Sequence, residues 1–109
     1  MTNKNIQFSN NKKYDQPLQD YGRIAKEYLK EKQPVRYTTL VMEGTLMEYL
    51  HKIEDQSIDH EIQLEKQILN QRPYPKTENP LVKEAHLKVI QSLAREQVTA
   101  EMLKMIDNN

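Results

Sequence analysis

The chain has no cysteine and no tryptophan, one phenylalanine and only two glycines among 109 residues. Without cysteine, disulfides and thiolate chemistry are excluded, and a reducing compartment suits the chain. Two glycines and 6% aromatics leave too little turn chemistry for a strand-rich fold with many tight hairpins. No run approaches 18 apolar residues, and the polar N-terminal stretch does not resemble a signal peptide. Neither a membrane span nor secretion is expected, and the expected location is cytoplasmic. Net charge is also missing, because 16 Lys and Arg balance 16 Asp and Glu.

What is present suits helices: Lys, Glu, Gln, Leu and Ile are plentiful. Leu, Ile, Val and Phe make up 25 of the 109 residues, about 23%, just above the roughly 20% below which chains tend to stay disordered. The core is therefore small. At this size a second copy helps bury apolar surface, so a homodimer is expected.

The neutral total hides an asymmetry. Residues 1–40 hold eight Lys or Arg against four Asp or Glu, and residues 41–109 hold eight against twelve. From Glu43 to Glu65, the acids Glu43, Glu48, Glu54, Asp55, Asp59, Glu61 and Glu65 face Lys52 alone. The plain reading is a solvated helix face. The pointed reading is an acidic surface that meets a basic groove on a partner, or the basic half of a second copy.

Residues 1–19 are rich in Asn, Gln and Lys without apolar period and read as a flexible N-terminal arm, anchored at most around Tyr14 to Leu18. A helical domain is expected over 20–109. Its first helix runs from Asp20, taken as the N-cap, to Lys32. Tyr21, Ile24, Ala25, Tyr28 and Leu29 share one face of it. Gln33-Pro34 ends it, and Pro34 suits the first position of a short second helix reaching Glu43. Gly44 is the left-handed stop. Thr45-x-x-Glu48 reads as a capping box opening a long central helix, Leu46 to about Asn70. Its stripe is Leu46, Tyr49, Leu50, Ile53, Ser57, His60 and Leu64. A second, drifting stripe of Ile58, Ile62, Ile68 and Leu69 points to a further neighbour. Three prolines from Pro73 to Pro80 force an extended connector, pinned by Tyr74. Asn79-Pro80 then starts the last helical region, Leu81 to Ile106, as one helix or as two divided at Thr99.

No catalytic or metal constellation emerges. His51, Asp55 and Asp59 share a helix face, but one helix offers a poor coordination shell and no second cluster completes it, so no metal and no cofactor are expected. Ser57 with His60 lacks a nucleophile elbow and an orienting acid. His86 reads as packed or at the surface. Arg23, Lys26, Lys30, Lys32 and Arg36, interleaved with Tyr21, Tyr28 and Tyr37, offer a basic patch with stacking rings for nucleic acid. Glu27 and Glu31 dilute it. A helix-turn-helix at the Pro34 or Gly44 corner would be followed by a strongly acidic helix, which repels DNA.

Tyr21-Gly22-Arg23, Tyr28-Leu29-Lys30-Glu31, Pro34, Tyr37, Leu40, Gly44, Leu46, Leu50 and Ile53 together resemble the transposon-encoded TnpV family. Its Y-L-K-E-x-x-P-x-x-Y run leads to a G-x-L helix. The likeness is densest over residues 21–55 and looser beyond, around Ala94 to Val98. It implies carriage on a mobile element, and it transfers no catalytic residue.

These observations lead to an all-α expectation: a small helical bundle with one long central helix and no enzymatic activity. The first functional expectation is an accessory protein that binds another protein through Glu48, Glu54, Asp55, Asp59, Glu61 and Glu65. Its sharpest version is inhibition of an RNA-guided nuclease, or of its ribonucleoprotein, in the manner of an anti-CRISPR protein. The alternative is a nucleic-acid-binding accessory factor using Arg23, Lys26, Lys30 and Arg36.

Overall fold

The computed structural model describes residues 12–108. A 3₁₀ turn over Lys12–Asp15 precedes four helices: α1 over Asp20–Lys32, α2 over Pro34–Glu43, α3 over Leu46–Gln71 and α4 over Pro80–Asn108. The described residues contain no strand, and the fold is all-α. The chain divides into two compact units, Met1–Asp55 and Gln56–Asn109.

In the first unit the buried apolar residues are Leu18, Tyr21, Ala25, Leu29, Leu50 and Ile53. Of the arm, residues 1–11 lie outside the described residues. Its anchored part is Tyr14 to Leu18, with the Leu18 side chain buried. Gln19, not Asp20, is the N-cap of α1, and its side chain makes no cap hydrogen bond. Pro34 enters α2 without penalty, because the first helical position has no N–H partner to lose.

The end of α2 is a Schellman turn. Gly44 adopts φ 73° and ψ 22°. Its N–H donates to the Val41 carbonyl at 3.0 Å, and the Thr45 N–H donates to the Leu40 carbonyl at 3.0 Å. Both bonds satisfy carbonyls that the helix itself leaves open. The Thr45 N–H is thereby occupied, and the Glu48 carboxylate takes Lys52 at 2.9 Å instead. The reciprocal half of the expected capping box does not form.

In the second unit, the α3 residues from Gln56 onward and α4 make an antiparallel hairpin. Contacts link Glu61 to Arg95, His60 to Glu101 and Arg72 to His86, so positions rise along one helix as they fall along the other. Asn79 caps α4: its Oδ1 accepts the Leu81 N–H at 2.9 Å. The Tyr74 ring lies tilted on His86 with centroids 5.6 Å apart, and His86 Nε2 is 2.6 Å from the Arg72 carbonyl oxygen. This pins the proline-rich connector. The last helix is one helix, unbroken at Thr99. Its buried residues are Ile90, Ala94, Val98, Met102 and Ile106. Steps of four residues advance about 40° beyond a full turn, so this stripe winds around the axis. No helix among the described residues is long and apolar enough to cross a membrane.

Candidate interaction surface

The acidic run on α3 does not form one face. At about 100° per residue, Glu48, Asp55 and Asp59 fall in one row and Glu54, Glu61 and Glu65 in another, well over 90° away. The two rows differ in role. Glu48 is paired with Lys52, whose ammonium is held above its ordinary pKa first by that hydrogen bond and then by the Glu48 charge. Asp55 is half-buried and engaged, and Asp59 is exposed.

The other row turns inward. Glu54 is only 3% exposed. The Glu61 carboxylate lies 3.6 Å from the Arg95 guanidinium. One turn on, burial pushes the Glu65 carboxyl up, followed by the hydrogen bond and charge of Glu61, with Arg95 opposing. Of the six acids read as a docking surface, Glu54 must therefore be withdrawn. It lies in the interior of the first unit.

Glu54 caps α1 from a distance. Its Oε2 accepts the Gln19 N–H at 2.5 Å and the Gly22 N–H at 3.2 Å. The first N–H groups of a helix lack internal partners and carry partial positive charge, so a carboxylate satisfies both needs. One turn earlier on α3, His51 is also buried. Its Nδ1 lies 3.6 Å from Glu54 Oε1, and its Nε2 lies 2.8 Å from the Gln16 carbonyl oxygen. The Tyr14 ring stands 6.1 Å from the imidazole. His51 and Glu54 thus tie residues 14–19 and the start of α1 to α3. Gly22 makes this possible. A Cβ there would sit 2.6 Å from Glu54 Oε2 and 2.7 Å from Leu18 Cδ2. The sequence offered no sign of this clasp, because its donors and acceptor lie 32 and 35 residues apart.

The basic residues are drawn into local structure as well. Arg23 donates to the Leu18 carbonyl at 2.9 Å and pairs with Asp20. Lys26 is half-buried. Lys30 lies 5.7 Å over the Tyr37 ring and 3.8 Å from Glu27. Arg36 stacks 4.9 Å over the Tyr49 ring, donates to its hydroxyl and donates to Gln33 Oε1 at 3.0 Å. Arg36 works here as a brace between α2 and the first turn of α3.

The outer side of α2 has the opposite character. No α2 residue is buried. Seven of its ten residues are exposed: Pro34, Val35, Thr38, Thr39, Val41, Met42 and Glu43. Only the last is charged. Val35 is 80% exposed and Met42 82%. They stand seven residues apart, two turns along one face.

Two remaining candidates resolve as packing. Ser57 is buried at the edge of a groove of about 280 Å³ lined by His60, Val98, Glu101, Met102 and Met105. Glu101 Oε1 lies 3.9 Å from His60 Nε2, too far to hydrogen-bond and orient the ring. Glu101 Oε2 accepts from Gln97 at 3.0 Å. His51 of the spaced His51, Asp55 and Asp59 set is buried in the clasp, and among the described residues no group of three His, Asp or Glu is placed to hold a metal ion.

A family model described as transposon-encoded protein TnpV matches residues 3–103, nearly the whole chain. No curated protein and no solved structure matches.

Proposed function

The chain belongs to the transposon-encoded TnpV family, and from that premise we propose that it is a non-enzymatic accessory protein of its mobile element that works by protein contact through the outer face of α2. One observation carries this reading: α2 exposes Val35, Thr38, Thr39, Val41 and Met42 with a single charge at its end. In a chain with 29% charged residues, a helix that faced only water would carry lysines and glutamates along that side. A contiguous uncharged face with three exposed apolar side chains, Val35, Val41 and Met42, fits a protein partner.

Docking of the acidic helix into the basic channel of a nucleic-acid enzyme, the nuclease-inhibitor version, is narrowed to the outer row of Glu48, Asp55 and Asp59. Direct nucleic-acid binding through Arg23, Lys26, Lys30 and Arg36 is weakened by the contacts that three of the four already make within their unit. Phosphate binding would have to break or share them.

Photo-crosslinking in cells that carry the element separates the three. A photoreactive residue is placed at Thr39 on α2, at Asp59 on the outer acidic row, or at Lys26. A protein adduct at position 39 is expected. Protein adducts at 59 alone would move the surface to the acidic row, and nucleic-acid adducts at 26 would favour the alternative. Absence of any protein adduct at 39 rejects the α2 reading.

A further inference from the structure

We infer that the occupant of the α2 face is a second copy of this chain, with the two α2 helices packed antiparallel across a two-fold axis at Thr38 and Thr39. The inference rests on the protein-contact reading above and names its partner.

The argument is the self-complementarity of α2. A two-fold interface brings a patch onto itself, so each position must suit its symmetry mate. Antiparallel pairing centred between Thr38 and Thr39 sets Val35 of one copy against Met42 of the other, and the two threonine pairs meet at the axis. On one flank Pro34 meets Val41, so both partners there are uncharged. On the other flank Glu43 approaches Arg36, twice by symmetry. Three kinds of contact agree in register within a residue, without a like-charge clash.

Electrostatics support the same direction. Glu43 ends α2, where the partial negative charge of the helix terminus disfavours a carboxylate. Antiparallel packing carries it toward the positive N-terminus of the opposite α2, on the flank of Arg36. Parallel packing would place the two Glu43 carboxylates together. Arg36, held against Gln33 and Tyr49, lies on the flank that the Glu43 carboxylate approaches and would share its donors with it. Ten residues give a contact about 15 Å long, which makes the interface small and the dimer a weak one.

The test is light scattering and sedimentation of the full chain across a concentration series. The wild type should move from monomer to dimer in the micromolar range. Val35→Asp and Met42→Asp should each raise the dissociation constant at least about tenfold, with helical circular dichroism unchanged because both sites are exposed. Glu43→Arg should weaken the dimer in the same direction, by setting like charges together. Because the chain has no cysteine, Thr38→Cys gives a clean reporter: mild oxidation should yield a disulfide-linked dimer, while Ser92→Cys on α4 should not. A wild type that stays monomeric at about 200 μM, far above a micromolar constant, would overturn the inference, and a protein adduct at Thr39 to some other chain would then leave the contact reading standing. A dimer indifferent to Val35→Asp and Met42→Asp would overturn it as well. So would an intrachain disulfide between Phe8→Cys and Thr38→Cys in a monomer, which would assign the face to the chain's own N-terminal segment.

Discussion

Replacing Gly22 by alanine should destabilise this protein, although the ordinary expectation for a helical glycine is the reverse. Gly22 lies inside α1 and has no positive φ. In an open helix the change would gain about 1 kcal/mol of propensity. Here the added Cβ meets Glu54 Oε2 at 2.6 Å and Leu18 Cδ2 at 2.7 Å, with Leu18 Cβ at 3.1 Å. The carboxylate cannot retreat without stretching its bonds to Gln19 and Gly22. Hydrogen bonds to charged groups contribute about 1.5–3 kcal/mol each, and a buried carboxylate left short of donors costs more. Losing the equivalent of one such bond, about 3 kcal/mol, against the gain of about 1 leaves a net cost near 2 kcal/mol. For a chain of this length that corresponds to a fall in Tm on the order of 10 °C. Thermal and urea unfolding followed by circular dichroism would measure it. A second arm isolates the cause: in a Glu54→Ala background the principal clash is gone, so the cost of Gly22→Ala should shrink by at least about 1 kcal/mol. A Gly22→Ala variant as stable as the wild type, or strict additivity of the two changes, would refute the clasp.

Further outcomes are expected at three positions. Gly44→Ala should cost about 1–2 kcal/mol in urea unfolding, because φ 73° is left-handed. Gly44→Asn should cost less, since nothing lies within 4 Å to resist a side chain and only the backbone conformation is penalised. Asn79→Ala should lower stability by about 1 kcal/mol through loss of the α4 cap, read as a drop in Tm. Glu65→Gln should raise Tm at neutral pH and make no difference well below pH 4.5. The folded carboxyl sits above its ordinary 4.5, so the folded state binds the proton more tightly than the unfolded state. Its ionisation therefore removes stability as pH rises from 4.5 through the folded value. A difference in Tm that persists at low pH would contradict this.

The helices were readable from local chemistry, and the acidic surface was not. Pro34, Gly44 and Asn79-Pro80 act within a few residues of their own position, through a fixed φ, a permitted left-handed φ and an Asx cap. Each marked its boundary to within a residue. Glu54 differs. Its burial depends on N–H donors on another helix, and summing charges over Glu43 to Glu65 treats every carboxylate as solvated. Helical period alone would have divided the acids into two rows, and Glu54 shares its row with Glu61 and Glu65. Asp20 was misplaced as the cap for a related reason: Glu54 fills that role from afar, so no cap side chain is needed at Gln19. The last helix read as one or two because Thr99 can serve as a cap, and the helix runs through it unbroken, its buried residues spaced by four along a stripe that drifts around the axis.

Apart from Pro34, the residues that carry the family likeness and the residues proposed to make contact are different sets. Tyr21, Leu29, Leu50 and Ile53 are buried, Gly22 makes room for Glu54, Pro34 starts α2 and Gly44 ends it, and the Leu40 carbonyl receives the bond that closes the turn. Eight of the fourteen residues of that pattern are therefore accounted for by building the core of the first unit, the clasp, the α1–α2 corner and the Schellman turn. Val35, Thr38, Thr39 and Met42 fall at the positions between, on the side of α2 that packing within the unit leaves open. A fold can hold its frame constant while the outward positions of one short helix determine what it touches. The same frame presenting charged residues at 35 and 42 should fold equally well and lose the contact, because those two side chains contribute nothing to the buried core of their own unit.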